Sequence, residues 1–280
     1  METNNIKNLL TDKFYVDSLL YHYTTLDSAC KIINSNSLRL SSLSKTNDPL
    51  EFLNPKLFVF DSEIAIRDKI YKDLKLSLEE RKRFVRFFCF SIDSDFTKYE
   101  DRHCQSFHNN YFLKGWARNR MWAQYAENHK GVCLVFDKEN FIKQFNLQKT
   151  NGVEILKPQK INYTNNFEDL ENDMTNITSE MIGKTNFRNF FLDNDRKKYI
   201  FQKCEDYRDE NEYRFALIDR NIKNKDDEKY VDFGTSLKAV ILGQKFPQKK
   251  KLELPQNVPQ FQINWECGCP NLWFENTTRK

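Results

Sequence analysis

Leu19-Leu20-Tyr21-His22-Tyr23-Thr24 is rich in aromatic and aliphatic residues, and we predict a β-strand there. Thr25-Leu26-Asp27-Ser28 follows with capping side chains, and the apolar residues from Leu26 to Ile33 recur at helical spacing. Residues two apart on a strand share a face, so His22 and Thr24 project to the same side. Two interpretations remain open at this point: a polar face toward solvent, or a pair of side chains that grips a ligand lying across the strand.

The rest of the chain mixes strands and helices without regular alternation. We predict strands at 38–40, 84–92, 131–137, 153–156, 210–218 and 237–243, and helices at 6–14, at 61–85 and at about 116–127. This irregular order favours the α+β class. We therefore expect residues 1–280 to form a single α+β domain, with a helical insertion around 138–200.

Composition and charge set few limits on function. The formal net charge is only +4, with many charges of both signs, so nucleic-acid binding is neither demanded nor excluded. The seven cysteines are scattered, several lie in apolar runs, and no CxxC pair occurs, which favours buried free thiols. We find no apolar leader and no run long enough to span a membrane. These observations predict a reduced, cytoplasmic protein without a membrane partner.

Common catalytic motifs are missing from the sequence. It contains no glycine-rich phosphate loop, no GxSxG and no HExxH. His103 and His108 flank Cys104, but their spacing matches no standard ligand pattern, so we predict no metal site.

Two groups of residues have the types that chemistry needs. Trp122, Tyr125 and His129 fall on one helical stripe, which is either a core-facing stripe or an aromatic wall beside a planar ligand. Glu210 and Glu212 flank Asn211 at the start of a strand, and both carboxylates are expected to face one way, with Arg214 on the same side. A nearby guanidinium keeps a glutamate ionised, and a fixed carboxylate can stabilise an oxocarbenium-like transition state. The alternative is a solvated or salt-bridged strand edge.

Several short motifs, in order along most of the chain, resemble a widespread bacterial family of unknown function, domain of unknown function family 2971. The motifs are His22–Thr24, Leu38–Ser42, Asn47–Glu51, Phe88–Ser91, Met121–Ala126, His129–Phe136 and Glu210–Arg214. The family name carries no activity.

A second resemblance is to ADP-ribosyltransferases of the diphtheria-toxin-like type. His22 and Thr24 resemble the strand that holds NAD, Glu210 and Glu212 resemble the late E-x-E element, and Ser91 resembles the central serine of a related subgroup. The resemblance implies mixed, split central sheets flanked by helices. It also implies NAD as a substrate, and transfer of ADP-ribose to a nucleic-acid or protein acceptor, or hydrolysis of NAD.

The resemblance further implies a role for each matching residue. Catalysis falls to Glu212, Glu210 and His22, with Glu212 stabilising the cationic sugar, Glu210 activating the acceptor and His22 bonding a ribose hydroxyl. Binding of NAD falls to His22, Tyr23, Thr24, Arg39, Ser91, Trp122 and Tyr125. Within that set Arg39 meets the pyrophosphate, and Tyr23, Trp122 or Tyr125 stacks on nicotinamide.

The hypothesis is therefore an NAD-dependent transferase, a toxin or phage-defence effector that has an antitoxin or defence-system partner. One alternative is a non-catalytic module of a defence system that senses a nucleotide in the same pocket. Another is a metal-dependent nuclease that uses Asp48, Glu51 and His22, although a second acidic pair for a two-metal site is missing.

Overall fold

The structure is a computed structural model that describes residues 2–11, 17–46, 48, 51, 58–59, 64–94, 109–165, 176–177, 186–249 and 251–274. The helices are α1 Glu2–Thr11, α2 Leu26–Ser35, α3 Ile64–Phe84, α4 Asn119–Tyr125, α5 Lys138–Asn146 and α6 Asn194–Lys197. The strands are β1 Leu19–Thr24, β2 Ser37–Ser42, β3 Phe58–Val59, β4 Val85–Ser91, β5 Val132–Asp137, β6 Val153–Ile155, β7 Gln159–Lys160, β8 Asn162–Thr164, β9 Asn176–Ile177, β10 Gln202–Cys204, β11 Glu212–Asp219, β12 Lys229–Asp232, β13 Leu237–Leu242, β14 Gln260–Glu266 and β15 Cys269–Phe274.

An 11-stranded mixed sheet forms the centre of the molecule. Its main path runs β12-β2-β4-β1-β5-β13-β14-β15, and β11 pairs with β4, β6 and β7. The pairs β8–β10 and β3–β9 form two small parallel sheets. The protein is therefore mixed α+β, as the sequence predicts.

The sheet is split along one edge of β4. β11 pairs with seven successive residues of β4 on the opposite edge. On the split edge, β1 pairs with β4 only at Tyr21↔Ser91, and β2 pairs with it only at Ser41↔Phe87 and Ser42↔Arg86. Cys89 of β4 therefore faces the gap between β1 and β2.

Apolar residues cover both faces of the sheet. One face, with Leu20, Phe90 and Phe215, packs beneath α2 and α5. The other face carries one cluster around Trp116 and Trp122, which includes residues of α1, and a second cluster around the 3₁₀ segments of residues 187–201. Because successive strand residues alternate between faces, the register of each strand decides which side chains can meet.

Most predicted elements are confirmed within about two residues. β1 spans the predicted residues, and α2 begins after Thr25, whose hydroxyl accepts a hydrogen bond from the Ser28 backbone N–H (3.1 Å). The predicted helix at about 116–127 is shorter: a 3₁₀ turn at Gly115–Ala117 precedes α4. Residues 95–108, which include His103 and His108, lie outside the described residues.

Two regions add strands to those predicted. In the described part of residues 138–200, helix α5 is followed by β6, at the predicted strand 153–156, and by β7, and both strands pair with β11 and extend the main sheet. The C-terminal strands β14 and β15 were not predicted, although Gln260–Trp265 alternates polar and apolar residues in the pattern typical of a half-buried strand.

Within the part of the chain that the structure describes, no helix is both long and apolar enough to cross a membrane.

Candidate functional site

The two carboxylates of the E-x-E element meet at the ammonium group of Lys203. Lys203 Nζ lies 2.6 Å from Glu210 Oε2 and 3.4 Å from Glu212 Oε2. Glu210 ends a 3₁₀ helix, Asn211 turns the chain in the left-handed region (φ 43°), and Glu212 begins β11. Asn211 can hold this turn against the end of β4, because its side-chain amide donates to the carbonyls of Ile92 (2.8 Å) and Asp93 (3.1 Å). The expectation that both carboxylates face one way is confirmed.

Glu212 is almost completely buried and nevertheless ionised. Burial alone would raise the pKa of its carboxyl group, but the charges of Arg214 and Lys203 outweigh burial and lower the pKa to about 2. Arg214 Nε donates to Glu212 Oε1 over 2.5 Å. Burial would lower the pKa of Lys203, and the two glutamates raise it instead. Glu212, Arg214 and Lys203 therefore form a network of charged side chains at neutral pH.

The network continues inward through arginines. Arg214 Nη1 lies 2.5 Å from Glu51 Oε1 in an ion pair that lacks hydrogen-bond alignment. Burial raises the pKa of Glu51 despite the nearby Arg214 charge. Arg81 is as buried as Arg214, and burial lowers the pKa of its guanidinium to about 10 even though the charge of Glu51 acts to raise it. Asp48 closes one side by accepting the Cys204 backbone N–H (2.8 Å).

Tyr125 connects the network to the surface. Its hydroxyl donates to Glu210 Oε1 over 2.8 Å, and its side chain is half-buried. The two interpretations of the helical stripe therefore apply to different residues: Trp122 is a core residue, whereas Tyr125 is part of the candidate site. Tyr163 adds a further contact, because its hydroxyl accepts the Glu212 backbone N–H (2.9 Å).

His22 lies at the gap between β1 and β4. Burial lowers its pKa, so the imidazole is neutral at pH 7, and Nδ1 lies 3.4 Å from the carbonyl oxygen of Cys89. A carbonyl only accepts, so we assign the proton to Nδ1 and leave Nε2 as an acceptor. The ring also meets Phe90 edge-on, with 5.9 Å between centroids.

His22 and Glu212 belong to different faces of the sheet. Glu212 is paired with Ser91, and Ser91 with Tyr21, so these three share a face, while His22 projects with Phe90 to the other. Both residues lie near Cys89: its carbonyl meets His22, and burial and the charge of the Glu212 carboxylate raise the pKa of its thiol. The structure therefore does not place His22 and Glu212 side by side on one strand face, as the implied NAD site expects.

Several residues predicted to bind NAD have other roles. Tyr23 is buried and its hydroxyl donates to the Gly115 carbonyl (2.6 Å), and Trp122 is fully buried and donates through Nε1 to the Trp116 carbonyl (2.8 Å). Neither ring can stack on a ligand in this conformation, which leaves Tyr125 as the candidate. Ser91 is buried and its hydroxyl donates to the Glu210 carbonyl over 2.8 Å.

Thr24 and Arg39 also lie away from the carboxylates. Thr24 shares the face of His22, as predicted, but is buried. Arg39 is exposed on β2 and pairs with Glu228 over 2.7 Å, so it does not reach the carboxylates. Its assignment to the pyrophosphate is not supported by this placement.

The residues of the nuclease alternative do not form a metal site. Asp48 accepts a hydrogen bond from the Cys204 backbone N–H, and Glu51 forms an ion pair with Arg214. His22 lies at the gap beside β4. Among the described residues no group of three or more His, Cys, Asp or Glu side chains is arranged to hold a metal ion.

Lys203 is the central residue that sequence reasoning missed. It sits in Gln202-Lys203-Cys204, a short segment without periodicity, and only the folded chain brings it to Glu210 and Glu212. No local pattern could have identified it.

Comparison with known proteins gives one match. Residues 121–215 match the family described as Protein of unknown function (DUF2971). The matched range includes Tyr125, Lys203 and both carboxylates, and it supports the family that the motifs predicted. No match was found among curated proteins or among solved structures. These comparisons do not support the resemblance to ADP-ribosyltransferases.

Proposed function

We propose that this protein is an NAD-consuming enzyme of the ADP-ribosyltransferase type that acts where β1 separates from β4. The observation that carries the proposal is the convergence on Cys89: the neutral imidazole of His22 meets its carbonyl, and burial and the nearby Glu212 carboxylate raise the pKa of its thiol. A ligand that crosses β4 from the gap beside His22 to Glu212 on β11, rather than lying flat on one face, could contact both groups.

The charge distribution suits departure of nicotinamide. In that step the bond between the sugar C1′ and the nicotinamide nitrogen breaks, the electron pair leaves with nicotinamide, and positive charge develops on the sugar. Glu212 offers a fixed negative charge to that sugar, with Oε1 held by Arg214 and Oε2 only loosely contacted by Lys203 (3.4 Å). An acceptor or water then forms a bond to C1′ and releases a proton, which Glu210 can take.

A second candidate, a non-catalytic nucleotide-sensing module, is favoured by a different observation. Glu212 is only 3% exposed, and both of its oxygens have cationic partners in the described residues. If these contacts persist when a nucleotide binds, the pocket recognises its ligand without breaking a bond.

Release of nicotinamide from NAD tests the proposal. We expect purified protein to release nicotinamide, alone or with RNA, DNA or cell protein as acceptor. The variant Glu212→Gln should lower the rate by at least about 100-fold, in keeping with the loss of a transition-state charge partner. Glu154→Gln is a matched control, because Glu154 is exposed and pairs with Lys197 on another part of the surface. Urea unfolding of each variant shows whether the fold survives.

The two candidates give different results. Binding of NAD by calorimetry without release of nicotinamide under any of these conditions would support the sensing module. Absence of both binding and release would reject both candidates.

A further inference from the structure

A second open cleft lies beside the Glu210 segment. Its cavity volume is about 560 Å³, and it is bounded by the start of α4, the turn after α4, the end of β13 and the β14–β15 hairpin. The residues that matter for its chemistry are Arg118, Arg120, His129, Asp209, Lys245 and Trp265. None of them has a role in the proposed NAD chemistry.

Among the described residues, Arg118, Arg120 and Lys245 line the cleft together with one acidic residue, Asp209. Arg118 is held in place by carbonyl groups, with Nη1 donating to Asp209 (2.9 Å) and Nη2 donating to Ile92 (3.2 Å). Arg120 is held in the same way by the Asp206 carbonyl (2.6 Å). The carbonyl contact of Arg120 orients its guanidinium without neutralising the charge, and Lys245 adds a second cation, so these two residues present a positive field to an anion.

Two aromatic residues, Phe112 and Trp265, also line the cleft. Trp265 lies 6.1 Å from Phe112 between ring centroids, and 42% of the Phe112 side chain is exposed. Within the described structure, Trp265 Nε1 and His129 Nδ1 are buried atoms without a hydrogen-bond partner. Unpaired buried polar atoms are costly, and a ligand that bonds to them would remove that cost.

The turn that presents His129 has an unusual backbone. Glu127, Asn128 and His129 have φ values of 48°, 51° and 72°, three successive non-glycine residues in the left-handed region. The turn is fixed by hydrogen bonds from the His129 N–H to the Trp122 carbonyl (3.1 Å) and from the Lys245 N–H to the His129 carbonyl (2.9 Å). Such conformations cost energy and are concentrated at ligand sites.

We infer that this cleft binds a nucleotide, with its phosphate at Arg118, Arg120 and Lys245 and its base against Trp265. Cations beside aromatic rings that line the same cleft are the combination that recognises a phosphate and a base together. The nucleotide can be free or the end of a single-stranded nucleic acid. This inference does not depend on turnover of NAD, because it uses different residues from the Glu212 network.

Equilibrium binding of labelled probes to the full chain tests the inference. The probes are a fluorescent AMP analogue, a 5′-labelled six-nucleotide RNA and inorganic pyrophosphate as competitor. We expect Lys245→Glu and Arg120→Ala each to weaken binding of the nucleotide probes by about tenfold, and binding to weaken with added salt. Lys31→Glu on α2 and Arg220→Ala after β11 are matched controls at exposed positions, and both should bind as the unchanged protein does.

Trp265→Leu separates base recognition from charge. It should weaken binding of the nucleotide probes while leaving competition by pyrophosphate unchanged. For the unchanged protein, tighter binding of the AMP analogue indicates a free nucleotide as the ligand, and tighter binding of the RNA indicates the end of a nucleic acid. Lys245 is exposed, so its variants should fold even if Trp265→Leu does not. Equal affinity of the cleft variants and the controls would overturn the inference, as would absence of nucleotide binding at millimolar concentration.

Discussion

Glu212 keeps a full negative charge in a buried position because two cations compensate for the loss of water. Arg214 and Lys203 offset the burial of the Glu212 carboxylate, whereas Glu51, whose ion-pair partner among the described residues is Arg214 at 2.5 Å, has a pKa raised by burial. Replacing a single partner in such a network leaves an uncompensated charge, which costs more than the pair contributes. The same arrangement gives Glu212 a defined response to pH.

We predict a loss of stability in acid that depends on Glu212. Its pKa in the folded state is about 2, below the ordinary value of 4.5, so its stabilising contribution is complete above about pH 4.5 and disappears as the pH falls toward 2. The difference corresponds to about 3 kcal/mol in the free energy of unfolding. Urea unfolding between pH 6 and pH 2.5 should show this decline, and Glu212→Gln should flatten it.

The Glu154→Gln variant provides the comparison, since the Glu154 side chain is exposed and is paired with Lys197. Its free energy of unfolding should decline between pH 6 and pH 2.5 as that of the unchanged protein does. Parallel curves for Glu212→Gln and the unchanged protein would show that Glu212 is not held ionised by the network.

At the scale of elements, close backbone packing sets the shape of the turn between α4 and β5. The chain crosses itself at Gly243, where an added Cβ would lie 2.1 Å from the His129 carbonyl oxygen. Gly131 is equally close, at 2.3 Å from the Thr24 carbonyl oxygen. Glycine is required at both positions by contact with backbone atoms, which cannot rotate away as a side chain can.

Gly243→Ala should therefore destabilise the protein by about 3 kcal/mol, because overpacking against backbone forces the turn and β13 apart. Gly268→Ala is the matched control: nothing lies within 4 Å of its added Cβ, and only its positive φ of 79° opposes the change. The control should cost about 1 kcal/mol. Unfolding in urea measures both, and equal losses would contradict the crowding argument.

At the scale of the whole molecule, a buried ion pair joins the N-terminal helix to the sheet. Lys114 Nζ lies 2.9 Å from Asp93 Oδ2 after the end of β4, with 0% and 1% of the two side chains exposed. Trp116 Nε1 donates to the Leu10 carbonyl in α1 (2.9 Å), and Lys114 Nζ approaches the Leu9 carbonyl (3.4 Å). The helix and the centre of the sheet therefore share one set of polar contacts.

We predict that Lys114→Met lowers the free energy of unfolding by about 3–5 kcal/mol, because Asp93 remains buried without its counter-ion. The double variant Asp93→Asn, Lys114→Met should recover part of the loss. Lys138→Met is the control. Lys138 forms an ion pair with Asp17, whose side chain is 53% exposed, and ion pairs with an exposed partner contribute about 0–1 kcal/mol. Similar losses for the two lysine variants would contradict this account.

Local patterns predicted most elements of the fold. β1, α2, β4, β5 and β13 were visible because apolar period, capping residues and glycine at strand ends act over a few residues. The convergence of Glu210 and Glu212 was also predictable, since both flank one residue at the start of a strand.

The sequence by itself therefore determined the class, the main strands and the E-x-E element. Only the tertiary structure decided that Lys203 joins the two carboxylates, that Tyr23 and Trp122 are core residues, and that His22 and Glu212 lie on different faces beside Cys89. The physical reason is that the alternation of side chains between the two faces of a strand follows from the local sequence, whereas the register depends on the partner strand. The pairing of β4 with β1 and β11, residues far apart in the chain, decides which side chains share a site.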